Sequence, residues 1–215
     1  MRVSVVIPAY NVERTVAEVV GRCDPSYEVV VVDDGSSDDT YEVASETRAR
    51  VVRHAANKGK GQALVTGLAH AEGDIIVFLD ADLQHLPEDI PAIVAPIESG
   101  THDMVIGSRR LGKTGDMPLL RRISNRTTTT LVRLFTGLSV TDTQSGFRAF
   151  RADALRAMPL KSKRFEVETE MLVCAARRRL RVCEVPIAIV YHDGPFHFSV
   201  LDILRFLRMV LFRRC

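Results

Sequence analysis

Cysteine is scarce and unpatterned in this chain. Cys23, Cys174, Cys183 and Cys215 form no C-x-x-C pair, which argues against a zinc site or a redox dithiol, and a chain of 215 residues has no need of a disulfide framework. Long apolar runs are missing too. The one late candidate, 199–214, is broken by Arg205 and Arg208, so no membrane-spanning helix is expected. Charge of one sign is also lacking: the net charge is only +2, and no basic run carries interleaved aromatics, so nucleic acid is not an expected partner. The glycine-bearing segment around Lys58 and Lys60 lacks P-loop spacing. The chain opens on a strand pattern without a charged n-region, apolar h-region and cleavage site, and a cytoplasmic chain is the expectation.

What is present is the composition of a folded domain, 46% hydrophobic and 26% charged. Apolar runs at 3–7, 28–32, 74–79 and 104–107 read as strands buried on both faces, and 50–53 as a short strand. Between them, Val12, Val16, Val19 and Val20 fall on one helical face. A serine cap with acidic residues at 36–40 opens a second helix, 63–71 forms a third, and Pro87 stands at the start of a fourth running to about 98. Strands alternating with helices predict an α/β fold, an open and mostly parallel sheet with right-handed crossovers. The expected organisation is one domain over 1–198 with a basic amphipathic appendage at 199–215.

In such sheets ligands bind beyond the strands' carboxyl ends. Three of those ends carry polar groups: Pro8-Ala9-Tyr10-Asn11, Asp33-Asp34, and Asp80-Ala81-Asp82-Leu83-Gln84-His85. If the chain stays extended through Ala81, the Cα atoms of Asp80 and Asp82 lie about 6.7 Å apart with both side chains on one side. Two such carboxylates can share one cation, and hard oxygen donors suit Mg²⁺ or Mn²⁺ bound together with substrate phosphates. Lys58 and Lys60 could meet phosphate.

Taken in order, these segments resemble the family 2 glycosyltransferases of GT-A fold, in particular the dolichyl- or polyprenyl-phosphate mannosyltransferase branch. The resemblance covers roughly 3–190. It rests on the three strand ends, on Asn57-Lys58-Gly59-Lys60-Gly61, on Gly107-Ser108-Arg109, and on Thr141-Asp142-Thr143-Gln144-Ser145-Gly146-Phe147-Arg148. It implies a Rossmann-like sheet with membrane-facing amphipathic helices. It also implies that the Pro8-Ala9-Tyr10 turn, Asp33 or Asp34 and Asp80 contact the nucleoside of a nucleotide sugar, GDP-mannose or a UDP-hexose. Glu13, beyond an inserted Val12, stands for the acidic residue after Y-N. Asp82 and Gln84, with Asp80 in support, hold Mg²⁺ or Mn²⁺ against the diphosphate.

Two basic segments bear on the acceptor. The stretch 118–135 has four arginines, no acids and a run of threonines that are poor helix formers. An interrupted apolar face still runs through it. The stretch 199–214 sets Leu201, Leu204, Leu207, Val210 and Leu211 against arginines, a pattern that suits a membrane surface or a second copy of the chain. The acids that open the helix near Glu168 complement its dipole, and the resemblance turns Glu168 toward the acceptor.

The expected reaction is inverting transfer of a hexose, mannose first, to a polyprenyl or dolichyl phosphate by an enzyme peripheral to the cytoplasmic membrane face. A phosphate whose second pKa is about 6 is mostly dianionic at neutral pH and needs no base. Asp142 then positions the donor sugar or Arg148, while Arg109 and Arg148 hold the acceptor phosphate. The alternatives are a transferase acting on a glycan hydroxyl with Asp142 as base, and a non-catalytic nucleotide-sugar-binding module at the membrane surface.

Overall fold

The computed structural model describes residues 1–112, 119–162 and 166–188. The expected appendage 199–215 and the residues 189–198 that precede it lie outside the described residues. Seven strands form one sheet in the order β3-β2-β1-β4-β6-β5-β7. They are β1 (Val3–Ala9), β2 (Glu28–Asp33), β3 (Arg50–Arg53), β4 (Ile75–Phe78), β5 (Met104–Ser108), β6 (Arg148–Arg151) and β7 (Val182–Pro186). β1 pairs in parallel with β2 and β4, β2 with β3, and β5 with β7. β6 is inserted antiparallel between β4 and β5, so the sheet is mixed although mostly parallel.

Alternate residues of the strands feed two separate cores. Val6, Val30, Val32, Ile76, Phe78 and Ile106 lie in one; Val5, Ile7, Val29, Val31, Ile75 and Val77 lie in the other. Such strands cannot be solvated on either side, which is why they read as unbroken apolar runs. Helices α3 (Lys60–His70), α5 (Leu119–Thr136) and α7 (Val167–Arg177) supply residues to the first core. Helices α1 (Val16–Arg22) and α4 (Ile90–Glu98) supply the second. Gly67 lets α3 lie directly on β1, because a Cβ there would collide with the Val6 side chain.

Three local expectations change. The chain does not stay extended after β4. It turns at Ala81 and Asp82, and Leu83 adopts a left-handed φ of 59°. Helix α2 (Thr40–Ser45) has no serine cap: Asp38 Oδ1 accepts from the Thr40 backbone N–H (3.1 Å) and hydroxyl (2.5 Å). The threonine run is helical after all. Thr130 and Thr136 donate their hydroxyls to the carbonyls of Arg126 and Val132 one turn back (2.8 and 2.6 Å), an internal bonding that lets helix interiors accept threonine.

Candidate active site

The register of the sheet sets Ala9 beside Asp33, so the β1 and β2 loops leave the sheet together. They are laced by hydrogen bonds. Asn11, in a left-handed conformation (φ 53°), donates its N–H to Ser36 Oγ and accepts at Oδ1 from the Ser37 N–H (both 2.9 Å). The Val12 N–H donates to Thr40 Oγ1 (2.8 Å), the Glu13 N–H to Asp38 Oδ2 (3.2 Å), and the Asp39 N–H to Glu13 Oε2 (3.1 Å). Thr15 then donates its hydroxyl to the Ala81 carbonyl (2.5 Å), tying this wall to the turn after β4. The result is a cavity of about 310 Å³ lined by Asn11, Val12, Glu13, Arg14, Thr15, Asp38, Asp82 and Gln84. Glu13, set off by Val12 in the sequence, therefore meets Asp82 and Gln84 at one opening. Pro8 and buried Ala9 end β1 behind it, with Tyr10 exposed at 48%.

Asp33 and Asp34 are not open to a ligand. Both are buried. Asp33 accepts from the Ser36 N–H (3.0 Å) and pairs with Arg53 Nε (3.0 Å). Asp34 receives the backbone N–H groups of Lys58 and Gly59 (3.0 and 2.7 Å) and sits 2.6 Å from His54 Nδ1. Asp34 thereby brackets the 54–59 loop, with Lys58 exposed.

The two carboxylates after β4 have separate surroundings. Asp80 Oδ1 lies 2.7 Å from Lys60 Nζ, and the same ammonium lies 2.8 Å from Glu168 Oε1. Burial opposes the Asp80 charge, but Lys60 outweighs it and holds the carboxyl below its ordinary value. Asp82 has no cation within ion-pair distance among the described residues, and Lys60 acts on it only from farther off. Burial first, and the Asp80 charge second, push its carboxyl above the usual range. Its Oδ1 accepts the Gln84 N–H (3.0 Å) across left-handed Leu83, whose side chain packs on the core below. Asp82 and Gln84 thus present a carboxylate and an amide to one cavity. Among the described residues no three His, Cys, Asp or Glu side chains form a ligand set. An incomplete set of hard oxygen donors fits Mg²⁺ or Mn²⁺, which keep water and phosphate ligands. His85 is buried with both ring nitrogens unpartnered, tilted against Phe147 at 5.6 Å. Burial pushes its pKa down to about 4, so it is neutral at pH 7.

On the other side, Asp142 is fully buried and grips Arg109 in a fork: Nε to Oδ2 at 2.6 Å, Nη2 to Oδ1 at 2.7 Å, with the Arg109 N–H at 3.1 Å. Burial opposes its charge, and Arg109 overcomes this and keeps the carboxyl below its ordinary value. Glu184 on β7, not anticipated from the sequence, fixes the segment by accepting the Thr141 and Asp142 N–H groups (both 2.8 Å). A lone carboxylate inside an otherwise apolar strand pattern was its only signal.

Arg148 is not placed to hold a phosphate. Its guanidinium is fully buried and donates to the carbonyls of Ser145 (Nε, 2.8 Å), Thr143 (Nη2, 2.8 Å) and Glu168 (Nη1). Burial lowers its pKa to about 10. The acids opening α7 also do more than complement a dipole: Glu168 reaches Lys60, and Glu170 accepts the N–H groups of Lys161 and Ser162.

Residues 4–158 match the family model described as Glycosyl transferase family 2. A UDP-N-acetylglucosamine–dolichyl-phosphate N-acetylglucosaminyltransferase of Methanococcus voltae is 35% identical over 87% of this chain and 85% of its own. A dolichol-phosphate mannosyltransferase of Pyrococcus furiosus is 35% identical over 86% of this chain and 56% of its own. Among solved structures, glucosyl-3-phosphoglycerate synthase from Mycobacterium tuberculosis with Mn²⁺, uridine diphosphate and phosphoglyceric acid superposes with a TM-score of 0.77. That match has 27% identity over 98% of this chain and 77% of that one. With the matched segment running from β1 past β6, including both halves of the site, the chain is a member of glycosyl transferase family 2 with a GT-A fold.

Proposed function

We propose that this enzyme transfers a hexose from a nucleotide sugar to a polyprenyl phosphate with inversion at the anomeric carbon, GDP-mannose being the first donor to test and UDP-hexoses the second. The observation that carries the choice of acceptor is the state of Asp142. A hydroxyl acceptor needs a base able to reach it and take its proton. Asp142 is fully buried, forked by Arg109 and depressed in pKa, the reverse of a poised base. A phosphate acceptor is already anionic and needs none. The relatives named for dolichyl-phosphate transfer support the same choice.

In this reading Tyr10 and the β1 turn receive the nucleoside and Lys58 reaches the phosphates. Asp82 and Gln84 hold the divalent cation, with Glu13 across the opening. When bound, the cation supplies neutralisation of the charge that builds on the departing diphosphate. Arg109, oriented by Asp142, meets the acceptor phosphate as a guanidinium suited to that task. Asp33 and Asp34 act behind the site by holding its loops. No helix among the described residues is long and apolar enough to cross a membrane. Surface contact is supported instead by α5, where Leu134 (75% exposed), Phe135 and Arg133 lie on the outside.

The test is a thermal-shift screen of nucleotide sugars with Mn²⁺, followed by mass spectrometry of lipid products with the best donor and polyprenyl phosphate. A lipid-phosphate-hexose formed only when metal is present is expected. Tight donor binding without transfer or slow donor hydrolysis would favour a non-catalytic module.

A further inference from the structure

We propose that Lys60 is a positioning residue that withholds Asp80 from the divalent cation, so that the protein offers the metal one carboxylate, Asp82, where the sequence displays two. This rests on the metal reading above and asks which of the paired acids the cation meets.

Lys60 is the first residue of α3, and its ammonium lies 2.7 Å from Asp80 Oδ1 and 2.8 Å from Glu168 Oε1. One cation thus joins the first turn of α3, the turn after β4 and the start of α7. The Lys60 side chain is only 15% exposed and Glu168 8%. In so dry a place neither partner is easily replaced by water, and removing one leaves the other uncompensated. Gly146 closes the arrangement. A Cβ at that position would lie 2.5 Å from Asp80 Oδ2 and 2.8 Å from Lys60 Nζ, so the backbone of the 141–148 segment rests on the ion pair itself. Asp80 is held on one oxygen by lysine and walled on the other by glycine. Asp82, past the turn, lines the cavity, and no lysine among the described residues is in ion-pair contact with it.

The consequence concerns when the metal binds. A divalent cation meeting one carboxylate and one amide finds few ligands until a diphosphate brings more, whereas two free carboxylates would bind it in the absence of substrate. Lys60 therefore makes cation binding depend on the donor. This also accounts for a lysine buried between two acids on the wall of a site that must receive an anionic substrate: it cancels a negative charge that would repel the diphosphate.

Two charge-neutral double variants separate the possibilities, read by the electron paramagnetic resonance signal of free Mn²⁺ titrated without nucleotide. Lys60→Gln with Glu168→Gln removes one positive and one negative charge and frees Asp80. Its affinity for Mn²⁺ should rise about tenfold over the parent, since affinity follows the number of charged ligands. Lys60→Gln with Asp80→Asn deletes the pair itself and should bind Mn²⁺ within about threefold of the parent. A merely structural role for Lys60 gives no gain of affinity in the first variant. The inference is overturned if the first variant binds no tighter, or if the second loses Mn²⁺ as completely as Asp82→Asn does. Should the first variant fail to fold, the second decides alone. If the parent chain binds no Mn²⁺ even with uridine or guanosine diphosphate, the metal reading fails first and takes this inference with it.

Discussion

Replacing Arg148 by methionine distinguishes a buried brace from a phosphate ligand. The substitution keeps length and apolar volume but removes donors that serve the carbonyls of Ser145, Thr143 and Glu168. A buried carbonyl left without a donor costs about 1–3 kcal/mol. Three give at least about 3 kcal/mol at the low end, partly offset because a desolvated guanidinium, already lowered to about 10 in pKa, no longer has to be buried. A net loss of about 2–3 kcal/mol is a large part of the 5–15 kcal/mol typical of a domain. At this chain length it should lower Tm by about 4–12 °C. Urea and thermal unfolding followed by circular dichroism measure it. Stability equal to the parent, together with a tenfold or larger rise in KM for lipid phosphate, would refute the brace and return Arg148 to the acceptor.

The Asp142–Arg109 fork makes a prediction in acid. Because the folded carboxyl lies below its ordinary 3.8, its contribution is present above about pH 4 and is lost as pH falls through the folded value; Asp142→Asn should flatten that limb of stability against pH. Gly146→Ala places a methyl 2.5 Å from Asp80 Oδ2. It should cost about 1–3 kcal/mol as an overpacked site and lower turnover, and an unfolding curve superimposable on the parent's would mean the segment does not rest on the ion pair. Changing Leu134, 75% exposed, to serine should leave unfolding within about 0.5 kcal/mol, as for surface positions, yet reduce co-sedimentation with anionic lipid vesicles. Undiminished vesicle binding would remove α5 from the membrane surface.

The strands of the parallel half were legible because burial on both faces removes polar residues from them, and that alone placed Ala9, Asp33 and Asp80 near one rim. β6 was not legible. Its four residues pair with β4 and β5 across large separations in sequence, and local pattern carries no trace of such pairing. For the same reason the fates of the charged residues could not be read. Arg148 takes partners from two segments, and Lys60 joins residues 20 and 108 positions away, so neither environment exists until the chain is folded. Asp80 and Asp82 look equivalent in the sequence, whereas in the fold Asp80 is paired with Lys60 and backed by Gly146, and Asp82 lies past the turn on the cavity. The turn at Leu83, a residue with no preference for positive φ, was hidden because tertiary packing holds it.

The identity of the attacking group distinguishes lipid-phosphate transfer from glycan transfer most directly. With the preferred nucleotide sugar and Mn²⁺ in detergent, polyprenyl phosphate and the corresponding polyprenol are offered side by side and the products weighed by mass spectrometry. Transfer to the phosphate and none to the alcohol is the predicted result, abolished by chelation of the metal. Equal transfer to the alcohol or to a soluble sugar, without use of the lipid phosphate, would contradict it.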